Sequence, residues 1–106
     1  MISTLKDART VSRIKTKIFL NIIHGKKVIK GFTVDLSCWG LRFKTNNSLD
    51  VGDLVSLSFI FKSCYFLNAK IVEKVSENEY RALFIFHDLQ PKYSLDHHIE
   101  FEKQYL

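Results

Sequence analysis

The chain contains 106 residues with a mass of 12.4 kDa, which is enough for one domain but too little for two. Hydrophobic residues make up 46% and charged residues 25% of the sequence, as in globular proteins and unlike disordered chains. The sequence contains no apolar run of about 18 residues and no apolar signal segment near its start. We therefore expect a cytoplasmic protein that does not insert into a membrane.

The cysteines and histidines do not suggest a bound metal. Cys38 and Cys64 form no CxxC unit, and none of the four histidines has the spacing that places two imidazoles on one helical face. We therefore expect two free thiols, no metal site and no cofactor.

Charge is distributed unevenly along the chain. Residues 1–44 hold ten basic and two acidic side chains, a balance of +8, whereas residues 45–106 hold six basic and nine acidic ones, a balance of −3. A basic N-terminal half favours an anionic partner, because clustered cations raise the local concentration of anions. A solvated, lysine-rich surface explains the charge equally well.

Strand signals predominate between residues 17 and 87. Alternating apolar positions and β-branched or aromatic composition predict strands at residues 17–24, 28–36, 40–45, 54–61, 64–75 and 80–86. Turn-forming residues separate them, as at 46–53 and 76–79. This pattern predicts an all-β fold, an antiparallel barrel or sandwich over residues 17–87, and closure into a barrel would leave no hydrophobic edge exposed.

The hydrophobic spacing becomes helical near the C-terminus. A helix is predicted within residues 91–105, with Ser94 as its N-cap and with Leu95 and Ile99 on its apolar side. We expect this short helix to pack on the barrel. A dimerisation helix is the alternative, so the chain is expected to be a monomer or a weak dimer.

Arg9 and Arg13 form an RxxxR motif before the first predicted strand. We interpret residues 1–14 as a flexible segment, since they lack strong apolar periodicity. Four extended residues span about 13 Å, so the two guanidinium groups could reach opposite ends of one small anionic ligand. Arginine pairs bidentately with phosphate or with a guanine edge, and it stacks on bases. Taken singly, each arginine could equally be a solvated surface charge.

Asp35, Ser37 and Gly40 form a DxSxxG motif where the second predicted strand ends. Alternate residues of a strand share a face, so Asp35 and Ser37 should point the same way. The Asp35 carboxylate can accept the N–H donors of a guanine, and Ser37 adds a hydroxyl. Gly40 permits either a positive φ or a close backbone approach. A strand-ending turn explains the same residues without any ligand.

Together, RxxxR, a spacer that holds two strands, and DxSxxG in a small all-β chain resemble the PilZ domain family. The resemblance covers residues 6–105 and includes the turn at residues 49–53, the strand YRALFIF and the terminal helix. It implies a PilZ-like split barrel, six-stranded and antiparallel with a short C-terminal helix. It also implies binding of the bacterial second messenger cyclic di-GMP.

The resemblance assigns roles to the motif residues. Arg9 and Arg13 would clamp the phosphates and guanines of the ligand. Asp35 and Ser37 would hydrogen-bond a guanine, and Gly40 would leave room at the barrel surface.

Two positions depart from the family pattern. Ala82 stands where glycine is usual, which is a mild steric change. Ala8 stands where some members carry an additional arginine, and its absence favours one ligand per site. Trp39 could stack on a base or face a partner.

The resemblance implies a non-enzymatic receptor that orders its N-terminal segment on binding cyclic di-GMP and then engages an effector protein in motility or exopolysaccharide regulation. A PilZ-like module that binds its partner without ligand is one alternative. A basic β-barrel that binds single-stranded nucleic acid is another, disfavoured because the phenylalanines alternate with polar residues as core positions do. Without a GxSxG turn or a paired acid and base, the sequence predicts no catalytic site.

Overall fold

The computed structural model describes residues 12–104, in which seven β-strands are followed by one helix. The strands are β1 (Arg13–Lys15), β2 (Phe19–His24), β3 (Lys27–Ser37), β4 (Gly40–Thr45), β5 (Leu54–Ile60), β6 (Cys64–Ser76) and β7 (Glu79–Ile85), and the helix is α1 (Gln90–Gln104). The predicted ligand-binding residue Arg9 lies outside this described part of the chain.

Strands β2 to β7 close into an antiparallel barrel. Neighbouring strands follow the order β3-β2-β5-β6-β7-β4, and β4 pairs back onto β3. Each of these six strands is therefore paired on both sides, which leaves their backbone hydrogen-bonding groups satisfied within the barrel. The predicted fold, a six-stranded antiparallel barrel with a C-terminal helix, is confirmed.

β1 lies beside the C-terminal half of β3, beyond the end of β2. Thr33 joins the two short strands along this edge: its hydroxyl donates to the carbonyl of Thr16 and accepts from the N–H of Ile18 at 2.9 Å. Arg13 and Ile14, the last part of the segment predicted to be flexible, belong to a strand paired with β3.

The barrel interior contains the inward side chains of the alternating strands. Every second residue is buried in β5 and in residues 64–71 of β6, as their sequences predict: Val55, Leu57, Phe59, Tyr65, Leu67, Ala69 and Ile71. Aromatic rings stack in this core, with centroids 5.7 Å apart for Phe43 and Tyr80. Full burial of one such side chain contributes about 1.5–3 kcal/mol, which is why the alternation decides which face of each strand is inside.

The C-terminal helix begins earlier than its sequence suggests. Ser94 was expected to be the N-cap, but α1 starts at Gln90, whose N–H donates to Oδ1 of Asp88 at 3.1 Å. Pro91 is accommodated because the N–H groups of the first turn have no intrahelical partner. Leu95 and Ile99 are buried in the core, as predicted. Within residues 12–104, no helix is long and apolar enough to cross a membrane.

Candidate ligand-binding site

A β-bulge decides where Asp35 points. Thr33 is buried on the inward side of β3, and strict alternation would send the side chain two positions later inward as well. The pairing of β3 with β4 shifts at this point, with Thr33 opposite Phe43 and Asp35 opposite Arg42. The extra residue reverses the alternation, so that Leu36 lies in the core and Asp35 lies beside Arg42 on the outer surface.

Asp35 lies between two arginines. Its Oδ1 accepts a hydrogen bond from Nη1 of Arg13 at 2.9 Å, and its Oδ2 lies 3.5 Å from Nη2 of Arg42. The side chain of Asp35 is 8% exposed, whereas the side chains of Arg13 and Arg42 are 48% and 36% exposed. The carboxylate is therefore held in place while the two guanidinium groups keep N–H donors available to solvent.

The ion pairs continue from Arg42 onto β7. Nε of Arg42 lies 3.0 Å from Oε2 of Glu79. Arg81 faces Arg42 in the pairing of β4 with β7, and its Nε donates to Oε1 of Glu73 at 2.9 Å. Neither Arg42 nor Arg81 is predicted as a site residue from the sequence. The outward position of Arg42 in the alternation of β4 was the available signal, but a sequence does not show which strand lies beside it.

Ser37 holds the turn between β3 and β4. Its Oγ accepts hydrogen bonds from the backbone N–H groups of Trp39 and Gly40, at 3.2 Å and 3.3 Å. The hydroxyl donates to the carbonyl of Gly40 at 3.3 Å, and the residue is 1% exposed. In this arrangement Ser37 satisfies the backbone of the turn, as the ligand-free interpretation of the motif expects.

Gly40 is required by close packing and not by a left-handed φ. The positive φ values in residues 12–104 belong to Gly25, Gly52 and Lys62. A Cβ built on Gly40 would overlap the carbonyl oxygen of Ala82 in β7. Of the two explanations offered by the sequence, the close backbone approach is the one found, because β4 and β7 meet here without room for a side chain.

Trp39 forms the tip of the same turn and is 45% exposed. Nζ of Lys92, in α1, lies 4.5 Å from the centroid of its ring, a cation–π contact between the turn and the helix. A depression of about 20 Å³ beside the turn is lined by Arg13, Arg81 and Leu83, among others. This volume holds about one water molecule, so a nucleotide bound here would lie on the outer surface of the barrel.

The two thiols lie in different surroundings, one buried and one exposed. Burial, and next the carboxylate of Asp96, raise the pKa of the Cys38 thiol, which therefore stays protonated and unreactive at neutral pH. Cys64 is exposed at the start of β6, and both cysteines are free. Residues 12–104 contain no group of three His, Cys, Asp or Glu side chains arranged to hold a metal ion.

The sequence of this barrel matches that of a known protein family. The sequence model of the PilZ domain matches residues 7–101. The chain belongs to the PilZ domain family. PilZ domains are a family of cyclic di-GMP receptors, although some members act without the ligand. No curated protein sequence matches the chain.

Solved structures contain the same barrel. The PilZ domain of CeSA from a cellulose-synthesizing bacterium has a TM-score of 0.71 and 20% identity, covering 86% of this chain and 97% of its own. MotI/DgrA, the inhibitor of motility of Bacillus subtilis, has a TM-score of 0.75 and 12% identity, covering 92% of this chain and 52% of its own. The uncharacterized protein Lpg0364 of Legionella has a TM-score of 0.58 and 15% identity, covering 88% and 95%. At these identities the similarity concerns the fold alone.

Four of the five predicted PilZ motif residues lie together in the structure. Arg13, Asp35, Ser37 and Gly40 occupy the corner where β1, β3 and β4 meet, and Arg9 lies outside the described residues. Ala82, where PilZ domains usually have glycine, is buried in the barrel core. This departure from the family pattern therefore leaves the outer surface of the corner unchanged.

Proposed function

We propose that this PilZ domain is a receptor for cyclic di-GMP. The observation that carries the proposal is the position of Arg13 and Asp35, which belong to separate motifs 22 residues apart and touch each other at an outer corner of the barrel. Cyclic di-GMP offers two phosphates and two guanines, and these are groups that arginine and aspartate recognise with charge-assisted hydrogen bonds. The family relationship supports the choice of this ligand.

Arg13 would bind a phosphate and Asp35 a guanine. One N–H of Arg13 is donated to Asp35, but the guanidinium group has five, so Asp35 can hold Arg13 in position while Arg13 binds the ligand. Oδ2 of Asp35 lies 3.5 Å from Arg42, beyond ordinary hydrogen-bond distance. That oxygen can therefore accept the N–H donors of a guanine edge.

Ser37 and Gly40 would act by shaping the corner. The hydroxyl of Ser37 is committed to the turn, so its main contribution would be to hold the backbone beneath the ligand. Gly40 keeps β4 against β7 and leaves the surface free of a side chain. Arg42 and Arg81 add positive charge beside a ligand that carries two negative charges.

Arg9 would complete the clamp from the segment that precedes β1. Binding would fix that segment over the corner, and the new surface would engage an effector protein. With Ala8 in place of an arginine, one ligand per site is expected. The names of two structural neighbours, one from a cellulose-synthesizing bacterium and one an inhibitor of motility, support exopolysaccharide or motility regulation as the process. The domain itself would perform no reaction.

Calorimetric titration of the full chain with cyclic di-GMP tests this proposal. Three or four charge-assisted hydrogen bonds, each contributing about 1.5–3 kcal/mol before the cost of ordering the segment, are consistent with micromolar affinity, about −8 kcal/mol. Arg13→Ala and Asp35→Ala should each weaken binding about tenfold or more. If folded protein gives no measurable heat at high micromolar ligand, the receptor hypothesis is wrong.

Matched variants separate loss of the site from loss of charge. Lys26→Ala removes a cation from an exposed turn and Asp50→Ala a carboxylate from another, both outside the corner. Neither should change the affinity by more than about twofold. Equal losses in these controls would mean that the corner has no special role.

A ligand-independent interaction module is the second candidate. Arg13 and Asp35 already bind each other without a ligand, and the depression beside them measures only about 20 Å³. Both features are expected of a domain that no longer binds a nucleotide. This candidate predicts binding to an effector protein that added cyclic di-GMP does not change. The receptor hypothesis predicts that the same addition strengthens it.

A further inference from the structure

Phe19 begins β2 with its side chain on the outer surface, where 84% of it is exposed. No other large apolar side chain in residues 12–104 is exposed to this extent. Its cross-strand partner is Phe32, and Nζ of Lys17 lies 4.6 Å from the centroid of the Phe32 ring. Burying a phenylalanine side chain is favourable by about 1.5–3 kcal/mol. A binding partner that covered the exposed ring of Phe19 would therefore gain free energy of this size.

Two grooves flank Phe19. One of about 300 Å³ is lined by Phe19, Phe32 and Lys44 on the side of β4. The other, of about 500 Å³, is lined by Phe19, Lys17 and Ile60 on the side of β5. Each groove is large enough to receive an aliphatic or aromatic side chain. We call this surface, Phe19 with its two grooves, the β2 face.

Lysines border both grooves of the β2 face, and none of the described residues that line them is acidic. Within residues 12–104, none of Lys17, Lys30 and Lys44 forms an ion pair. Glu79 faces Lys44 in the pairing of β4 with β7, but its carboxylate lies 3.0 Å from Arg42. The β2 face therefore combines an exposed aromatic ring with three lysines that have no ion-pair partner within residues 12–104.

We propose that the β2 face is the docking site for an acidic amphipathic segment of a partner protein. Apolar side chains of that segment would enter the grooves on both sides of Phe19, and its carboxylates would pair with the three lysines. A membrane surface presents no side chains to occupy two separate grooves. Single-stranded nucleic acid is bound by rows of aromatic rings, whereas the groove on the β5 side of Phe19 is also lined by the aliphatic side chains of Ile18 and Ile60.

The β2 face adjoins the proposed cyclic di-GMP site. Lys44 follows Arg42 on the outer side of β4, and Phe32 precedes the bulge that turns Asp35 outward. A ligand at the corner would therefore lie beside the docked segment and could alter its affinity. This regulation rests on the proposed function, but docking itself requires no nucleotide, so the failure of one proposal is distinguishable from the failure of the other.

Selection of random peptides of about 16 residues displayed on phage, against the full chain without nucleotide, tests the docking proposal. We expect enriched peptides to combine Asp or Glu with Leu, Ile, Phe or Trp, and to bind as synthetic peptides with Kd on the order of 10 µM. Phe19→Ser should weaken them about tenfold or more, and Lys44→Glu about fivefold or more. Both positions are exposed, so neither change should unfold the barrel.

Val51→Ser and Lys26→Glu are the matched controls, because they make the same kinds of change at exposed turn positions outside the β2 face. They should alter peptide affinity less than about twofold. The proposal is overturned if no peptide is enriched, if the enriched peptides have no excess of acidic residues, or if they bind Phe19→Ser as tightly as the unchanged chain. Binding of phosphatidylglycerol vesicles or a single-stranded oligonucleotide that Phe19→Ser abolishes, without peptide enrichment, would assign the face to lipid or nucleic acid instead.

Discussion

At the corner between β3 and β4, neighbouring residues contribute to different properties. Ser37 and Gly40 determine the path of the backbone, through hydrogen bonds in the turn and through contact with β7. Arg13 and Asp35 supply charge, and their partly exposed ion pair contributes less than about 1 kcal/mol to stability. Changes to the first pair should therefore act mainly on folding, and changes to the second mainly on ligand binding.

Gly40→Ala should destabilise the chain by about 1–3 kcal/mol, because the new methyl group would overlap the Ala82 carbonyl and force β4 away from β7. Urea unfolding measures the free energy, and hydrogen exchange should be faster at the amides of β4 and β7. Gly25→Ala is the control: its φ of 63° makes alanine cost about 1–2 kcal/mol, but its surroundings are open and exchange in β4 and β7 should not change. Unchanged stability of Gly40→Ala would contradict the steric explanation.

At the scale of the elements, a buried tyrosine of the barrel forms hydrogen bonds to two residues of α1. Oη of Tyr65 in β6 lies 3.0 Å from Oγ of Ser94 and 2.9 Å from Nδ1 of His98. Burial, and next the charges of His97 and Lys62, lower the pKa of His98. Burial also raises the pKa of Tyr65. Both groups are therefore neutral near pH 7, and the Tyr65 hydroxyl can donate to His98 while it accepts from Ser94.

This contact predicts a loss of stability in mild acid. Because the pKa of His98 is lower in the folded chain than in the unfolded one, the unfolded chain binds more protons once the pH falls below about 6.5. The free energy of unfolding should therefore fall between about pH 7 and pH 5, and it should fall less in His98→Gln. Urea titrations at several pH values measure both. His87→Gln, at an exposed position before α1, should keep the full decrease, and an identical decrease in His98→Gln would refute the assignment.

At the scale of the whole molecule, barrel closure brings the two unequally charged parts of the chain together. Arg42, from the basic part, lies beside Glu79 of β7, which comes from the acidic part. Arg13 remains next to Asp35 with almost half of its side chain exposed. Part of the positive charge of residues 1–44 is therefore neutralised by Glu79 of β7. The rest can attract anionic partners at the corner and on the β2 face.

Salt should weaken the binding of cyclic di-GMP. Raising NaCl from about 50 mM to about 500 mM shortens the screening distance from roughly 14 Å to roughly 4 Å, and we expect the affinity to fall several-fold because the ligand carries two negative charges. Calorimetry at both salt concentrations measures the change, and Lys26→Ala should show the same salt dependence as the unchanged chain. An affinity that does not respond to salt would mean that hydrogen bonds and stacking, without long-range attraction, carry the binding.

The amino-acid sequence by itself determined the six strands of the barrel, the inward residues of β5 and β6, the existence of the C-terminal helix and the two motifs. These features depend on local alternation and on neighbouring residues, which a sequence displays directly. The start of α1 was misplaced because the side chain of Asp88, and not that of Ser94, satisfies the first turn.

Tertiary structure decided the features that depend on pairing between distant residues. The bulge at Asp35 follows from the register between β3 and β4, and the strand character of Arg13 follows from its place beside β3. Arg42 joins the corner because the same register places it opposite Asp35, and barrel closure brings Glu79 of β7 beside it. Such contacts are set by which strands become neighbours and in what register, and the energy that chooses among registers comes from burying whole faces of the sheet.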